Sequence, residues 1–153
     1  MDVAPTLPLI KFGLLSFWGL WFVIVVLTNL CEAMKIFEVL PWAWKFASCN
    51  FQPVALAVGE YATPAWIAKA LFSGILVWQL GIVILFGWAT LSSLEHRTLR
   101  WDLVDLAFAA GLSLWAAFML ADEYCRQYEP QRAHVLFFMA QLVTLLTLHL
   151  LPA

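Results

Sequence analysis

Four long apolar stretches, separated by shorter polar segments, dominate the sequence. The longest stretch without a charge, ALFSGILVWQLGIVILFGWATLSSL, extends from Ala70 to Leu94. A helix of this length, at about 1.5 Å of rise per residue, exceeds the roughly 30 Å of hydrocarbon in a bilayer. The other three stretches are residues 12–31, 101–121 and 133–153. We therefore predict an all-α membrane protein with a single domain, residues 1–153, in which four transmembrane helices form an antiparallel bundle.

The starts of the first and third spans are not defined by hydrophobicity alone. Residues 1–11 contain two prolines, which predicts an irregular lead-in. The third span has only sixteen uncharged residues, 106–121, and it reaches full length if residues 101–105 form its first turn. Asp102 and Asp105 then share one face of that turn, where the helix dipole favours carboxylates.

The connection between the first two spans, residues 32–66, is long and aromatic. Its rings include Trp42, Trp44, Phe46, Phe51, Tyr61 and Trp66. Because such rings prefer the headgroup level of a membrane, we predict an interfacial loop that covers the bundle. Asn50 and Gly59 are typical start and stop signals of one short helix. A polar link around residues 95–100 joins the second and third spans, and Pro130 is expected to end the link before the fourth.

Composition limits the class of protein. Of the 153 residues, 64% are hydrophobic and 12% are charged, whereas charged residues make up about 25% of an ordinary soluble domain. The net charge is -2 and no basic run is present, so the electrostatic footprint of a nucleic-acid-binding protein is missing. We expect lipids and other membrane proteins as partners, and no nucleic acid.

An even number of spans places both termini on one side of the membrane. That side carries three basic residues, Lys11, Arg97 and Arg100, and the loop side carries five. The count favours cytoplasmic loops, whereas two cysteines outside the spans on the loop side are typical of an oxidising compartment. Weighing both, we favour cytoplasmic termini.

The cysteines do not indicate thiol catalysis. No C-x-x-C motif is present, and the three cysteines Cys31, Cys49 and Cys125 cannot all pair. A disulfide between Cys49 and Cys125 would tie the long loop to the second link, and the alternative is that both are buried thiols. We do not expect an enzyme.

Residues of metal-binding type lie near span ends on the loop side: Glu32, Asp122, Glu123 and His134. Pairing with Arg126 and Arg132 explains the same residues, and their spacing does not require a metal. A haem needs two axial histidines at one depth, but His134 and His149 lie about 22 Å apart along one helix. The alternative pair, His96 with His149, is geometrically possible but would take one ligand from a loop. We therefore expect no metal and no cofactor. His149 and Asp105 have similar depths, which predicts a polar contact between helices.

The deepest polar side chains are Gln79 and Gln141, each about ten residues into its span. Because an amide in hydrocarbon needs a partner, we predict that the two hydrogen bond to each other and hold helices together. If they lined a cavity instead, they would contact the headgroup of a quinone or a lipid.

The order of these features resembles a known pattern. A first span ends in Thr28, Asn29 and Glu32, a long aromatic loop follows, and an acidic aromatic link of Asp122, Glu123 and Tyr124 precedes the last span. This is similar to small four-span bacterial membrane proteins that are classed as a family of unknown function. More distantly, the architecture is similar to the DoxX-like proteins, some of which are small subunits of quinone-reducing enzymes. The resemblance implies a bacterial inner membrane, and no functional residue carries over from it.

The functional prediction is a non-catalytic small integral membrane subunit that packs against a larger membrane complex and stabilises it. Nine tryptophans and few polar groups suit a protein whose partners are lipids, other helices or a second copy of itself. The alternative is a quinone- or lipid-binding accessory subunit of a respiratory or other redox membrane complex, in which Gln79 and Gln141 contact the ligand.

Overall fold

The computed structural model describes residues 6–152 as five α-helices joined by loops. The helices are α1 (Thr6–Ile36), α2 (Phe51–Gly59), α3 (Ala65–His96), α4 (Trp101–Tyr124) and α5 (Tyr128–Leu150). Every helix except α2 is long and apolar enough to cross a membrane. Within residues 6–152 no strand is formed. The prediction of an all-α protein with four such helices is therefore confirmed.

Two helices begin earlier than predicted because a proline is accommodated in the first turn. α1 starts at Thr6, so the predicted irregular lead-in is wrong for residues 6–11, and residues 1–5 lie outside the described residues. α5 starts at Tyr128, so Pro130 does not end the preceding link. In both cases the missing N–H of proline costs little, since the first N–H groups of a helix have no intrahelical partner.

Other boundaries agree with the predictions more closely. α4 begins at Trp101, so residues 101–105 do form its first turn. The predicted short helix is α2, which follows Asn50 and ends at Gly59. α3 continues through His96, which shortens the link to α4 to four residues, 97–100.

Contacts divide the chain into two compact units, residues 1–21 with 82–153 and residues 22–81. In the first unit, α4 packs against α5. Asp105 near the start of α4 contacts His149 near the end of α5, and Asp122 near the end of α4 contacts His134 near the start of α5. The two helices therefore form an antiparallel hairpin.

Each unit has its own aromatic core. In the first unit, the fully buried rings of Phe86 and Phe108 meet edge to face, with centroids 5.1 Å apart. In the second unit, α1 buries Phe22, Val26, Asn29, Ala33 and Ile36. This spacing of three and four residues keeps them on one helix face. The ring of Phe51 in α2 packs edge-on against Phe72 of α3, with centroids 5.7 Å apart.

Candidate functional site

A chain of three amides extends from the core of the second unit, at Gln79 and Asn29, to the exposed residue Asn50. Asn29 donates a hydrogen bond from Nδ2 to Oε1 of Gln79 (2.7 Å), and Asn50 donates one from Nδ2 to Oδ1 of Asn29 (2.9 Å). Asn29 and Gln79 are each only 2% exposed. These bonds connect α1, α3 and the residue before α2. The amides are therefore a structural link, in which Gln79 already has a partner.

The predicted hydrogen bond between Gln79 and Gln141 is wrong, since Gln79 bonds to Asn29. The prediction used depth alone and ignored which side of each helix the amide occupies. Asn29 lies in the series 22, 26, 29, 33 and 36 that α1 buries, but the uniformly apolar sequence of residues 22–27 contains no periodic signal for that face. Its role as the central amide was missed because it was treated as a residue at a span end.

Two oppositely charged side chains follow Asn29 on α1. Glu32 and Lys35 are both buried, and they occupy successive positions on the same face at spacings of three residues. Nearby, the loop folds back on α1, because the backbone N–H of Ser48 donates to the carbonyl of Thr28 at 3.2 Å. Within residues 6–152 neither Glu32 nor Lys35 belongs to an ion pair of 4 Å or less.

Gln141 on α5 is the most deeply buried amide. Its side chain lies against the backbone of Gly111 on α4, where an added Cβ would be 2.6 Å from Nε2 and 2.7 Å from Oε1. The absence of a side chain at Gly111 therefore leaves the space that the Gln141 amide occupies. Neither amide atom has a hydrogen-bond partner within the described part of the chain. An amide left in this state costs several kcal/mol in an apolar interior, roughly 2–7 by different reference states.

An acid–histidine pair lies at the other end of the α4–α5 hairpin. The Nδ1 atom of His134 is 2.5 Å from Oδ2 of Asp122. The imidazole also packs against Phe118, with ring centroids 4.8 Å apart, and stacks on Trp115. The predicted pairing of His134 and Asp122 with arginine is thus replaced by pairing with each other.

The candidate metal ligands are not gathered into one site. Glu123 accepts a hydrogen bond from Nε2 of Gln131, while Asp122 and His134 form their own pair and Glu32 belongs to the other unit. Among residues 6–152 no three His, Cys, Asp or Glu side chains are close enough together to hold a metal ion.

Cys49 is exposed in the loop before α2, and Cys125 is half-buried directly after α4. Both carry thiols in this structure. They belong to different units, and the bridge between them stays a prediction.

At the opposite end of the first unit, polar residues surround Trp101, the first residue of α4. The imidazole of His149 stacks on the Trp101 indole, with centroids 4.3 Å apart, and its Nε2 is 2.7 Å from Oδ1 of Asp105. The predicted contact between His149 and Asp105 is therefore confirmed. Arg100 forms two hydrogen bonds to the carboxylate of Asp102, at 2.9 and 3.2 Å. These bonds, and then Coulombic attraction, raise the pKa of the Arg100 guanidinium.

Beside Trp101 lies a cleft of about 150 Å³. It is lined by Pro8, Lys11, Phe12, Arg97, Thr98, Leu99, Trp101 and Pro152. The sequence pattern did not single out this cleft, because its residues come from three distant parts of the chain: the start of α1, the link into α4, and Pro152. Comparisons of the chain with protein-family models, curated proteins and solved structures find no match.

Proposed function

We propose that the chain is an integral membrane protein whose four long helices form an antiparallel bundle, and that it is a non-catalytic subunit of a larger membrane complex. The observation that carries this proposal is the uncovered surface of α5. Only 11% of its most apolar window is buried within the chain, against 28% for α1 and α3 and 39% for α4. α5 is thus the span that has most surface left for another helix.

The exposed residues of α5 form a continuous apolar stripe. Its members are Leu136, Met139, Val143, Leu146 and Leu150. They alternate at spacings of three and four residues, which is the pattern of a seam between packed helices. Since lipid tails are as apolar as these side chains, association in the membrane depends on how well such a seam interdigitates. The proposed occupant is a helix of another membrane subunit.

The long loop supports the membrane assignment. Trp42, Trp44, Phe46 and Tyr61 between α1 and α3 are exposed, and so is Trp66 in the first turn of α3. Amphipathic rings of this kind are stabilised at the headgroup level. We propose that this segment is interfacial and that both termini lie on the cytoplasmic side of a bacterial inner membrane. The sidedness rests on the loop cysteines, which suit an oxidising compartment.

The subunit role predicts that the protein extracted in a mild detergent migrates above its monomer mass and brings other membrane polypeptides with it. Val143→Trp places a bulky ring in the α5 stripe and is expected to release those polypeptides while the helices stay folded. Ile84→Trp is the matched control, because Ile84 is similarly exposed on α3. Mass measurement and gel analysis of both variants check this. A wild-type protein that is a monomer, or an assembly of this chain alone, would contradict the proposal.

A second candidate function, binding of a quinone or a lipid, is favoured by the unpaired amide of Gln141. Gln79 gives it no support, because its Oε1 is engaged by Asn29. A ligand carbonyl would accept from Nε2 of Gln141, and a ligand hydroxyl would donate to Oε1.

The expected result for this second function is a monomer that retains a quinone or lipid through purification. Gln141→Leu should then lower the retained amount about ten-fold, because a lost hydrogen bond in an apolar site is worth roughly 1–2 kcal/mol. Gln79→Leu serves as the comparison and should leave retention unchanged. Organic extraction followed by mass spectrometry measures both. Equal retention by the two variants would remove Gln141 as the anchor.

A further inference from the structure

The cleft beside Trp101 combines two cationic side chains with an apolar wall. Pro8, Phe12 and Leu99 supply apolar surface, while Lys11 and Arg97 supply positive charge. All of these residues belong to the first unit. They come from the beginning of α1 and from the link between α3 and α4, which are ends of long helices and not their centres.

The ammonium group of Lys11 is buried, and among residues 6–152 no carboxylate forms an ion pair with it. The residue is 7% exposed, and its Nζ donates to the carbonyl oxygen of Leu151 at 3.0 Å. The same nitrogen lies 5.8 Å from the centroid of the Trp101 ring. A lysine has three N–H donors. The Leu151 carbonyl and the Trp101 ring do not engage all three, so Lys11 can still donate a hydrogen bond to another acceptor. Burying a charge in this way is costly unless an opposite charge accompanies it.

Two described carboxylates near Trp101 in the sequence, those of Asp102 and Asp105, are already engaged. Asp102 is bound by Arg100, and Asp105 is bound by His149. Within residues 6–152 no carboxylate forms an ion pair with Lys11 or with Arg97. Among the described residues, the cleft therefore carries two positive charges that no carboxylate pairs, beside an apolar surface.

The backbone conformation of Arg97 places this residue at the edge of the cleft. Its φ of 54° is left-handed, which terminates α3 and turns the chain towards α4. Its side chain is exposed. A guanidinium offers a planar fork of donors that matches the oxygens of a phosphate.

We propose that this cleft binds the phosphate group of an anionic phospholipid, with Lys11 and Arg97 on the phosphate and with Phe12 and Leu99 against the start of the acyl chains. A lipid fits better than a soluble anion because only a lipid uses the apolar wall as well as the charges. Trp101 at the rim suits the headgroup level, where indole rings are favoured. This site is independent of the α5 stripe and of the proposed subunit role.

The test uses the full chain, stripped of lipid in a neutral detergent and titrated with phosphatidylglycerol, phosphatidylcholine or inorganic phosphate. Native mass spectrometry counts bound lipid, and the thermal midpoint reports folding. Phosphatidylglycerol is expected to bind in preference to phosphatidylcholine. Arg97→Gln should weaken that binding about five-fold, and combination with Lys11→Gln should weaken it about 25-fold, as expected for one and two cations at a membrane surface. Arg132→Gln, which removes an exposed cation at the start of α5, should not change it.

Arg97→Gln keeps the test decisive even if the buried Lys11 variant fails to fold, because Arg97 is exposed. Equal binding of phosphatidylglycerol and phosphatidylcholine would overturn the proposal. An equal loss in Arg132→Gln would also overturn it, since the effect would then be one of net charge. Binding of inorganic phosphate as tight as that of phosphatidylglycerol would assign the site to a soluble anion instead of a lipid.

Discussion

Replacing Phe86 by alanine should lower the free energy of unfolding by about 3–5 kcal/mol, the range for truncating a buried aromatic ring. Phe86 is 0% exposed, its ring meets that of Phe108, and its Cβ lies 3.5 Å from the position of a Cβ on Gly19. The loss arises from the cavity and from the missing dispersion contacts, which act in a lipid-surrounded protein as they do in water. Unfolding of the protein in mixtures of mild and denaturing detergent measures it.

The matched control for this prediction is Trp88→Ala. Trp88 lies two residues further along α3 and is exposed. Its truncation should therefore change the unfolding free energy by less than about 1 kcal/mol, as is usual for surface positions. A Trp88 effect as large as that of Phe86 would mean that the outer face of α3 is covered.

The second large effect is expected for Asn29→Leu, at about 2–3 kcal/mol of destabilisation. The substitution removes the hydrogen bonds to Gln79 and from Asn50. It also leaves the buried amide of Gln79 without that partner, and such desolvation without compensation costs about 1–3 kcal/mol.

The double variant Asn29→Leu with Gln79→Leu should recover most of this loss. Replacing both members of a buried polar pair by apolar groups of similar shape is nearly neutral, whereas removing one member is not. A double-mutant cycle in detergent unfolding experiments measures the coupling. Additive losses in the double variant would show that the amides do not act as a pair.

The positions of the long helices were predictable because absence of charge over about 20 residues is a strong physical signal. The starts of α1 and α5 were not predicted, since a charged residue ends an uncharged run without ending a helix. Lys11 lies within α1, and Arg132 lies within α5. Extending each predicted helix beyond its charged residue would have placed the predicted starts of α1 and α5 closer to the observed ones.

The candidate sites were predictable only in part. The contact of Asp105 with His149 followed from equal depth, because both residues lie near helix ends on the same side. The partner of Gln79 did not follow, since depth does not define the rotation of a helix about its axis. The fit of Gln141 against Gly111 depends on that rotation in two helices at once. This fit between Gln141 and Gly111 can therefore be identified only from the packing of α4 against α5.

The uncharged segments of the long helices differ in length, and a bilayer of one thickness cannot match them all. The 25 residues from Ala70 to Leu94 in α3 span about 37 Å, whereas the 16 residues from 106 to 121 in α4 span only about 24 Å. If the chain spans a bilayer as proposed, with hydrocarbon about 30 Å thick, α3 would have to tilt and the bilayer beside α4 would have to thin. Asp105 and His149, which are about half exposed, then reach the headgroups. Under the proposed membrane assignment, lipids with short acyl chains would surround this hairpin with the least hydrophobic mismatch.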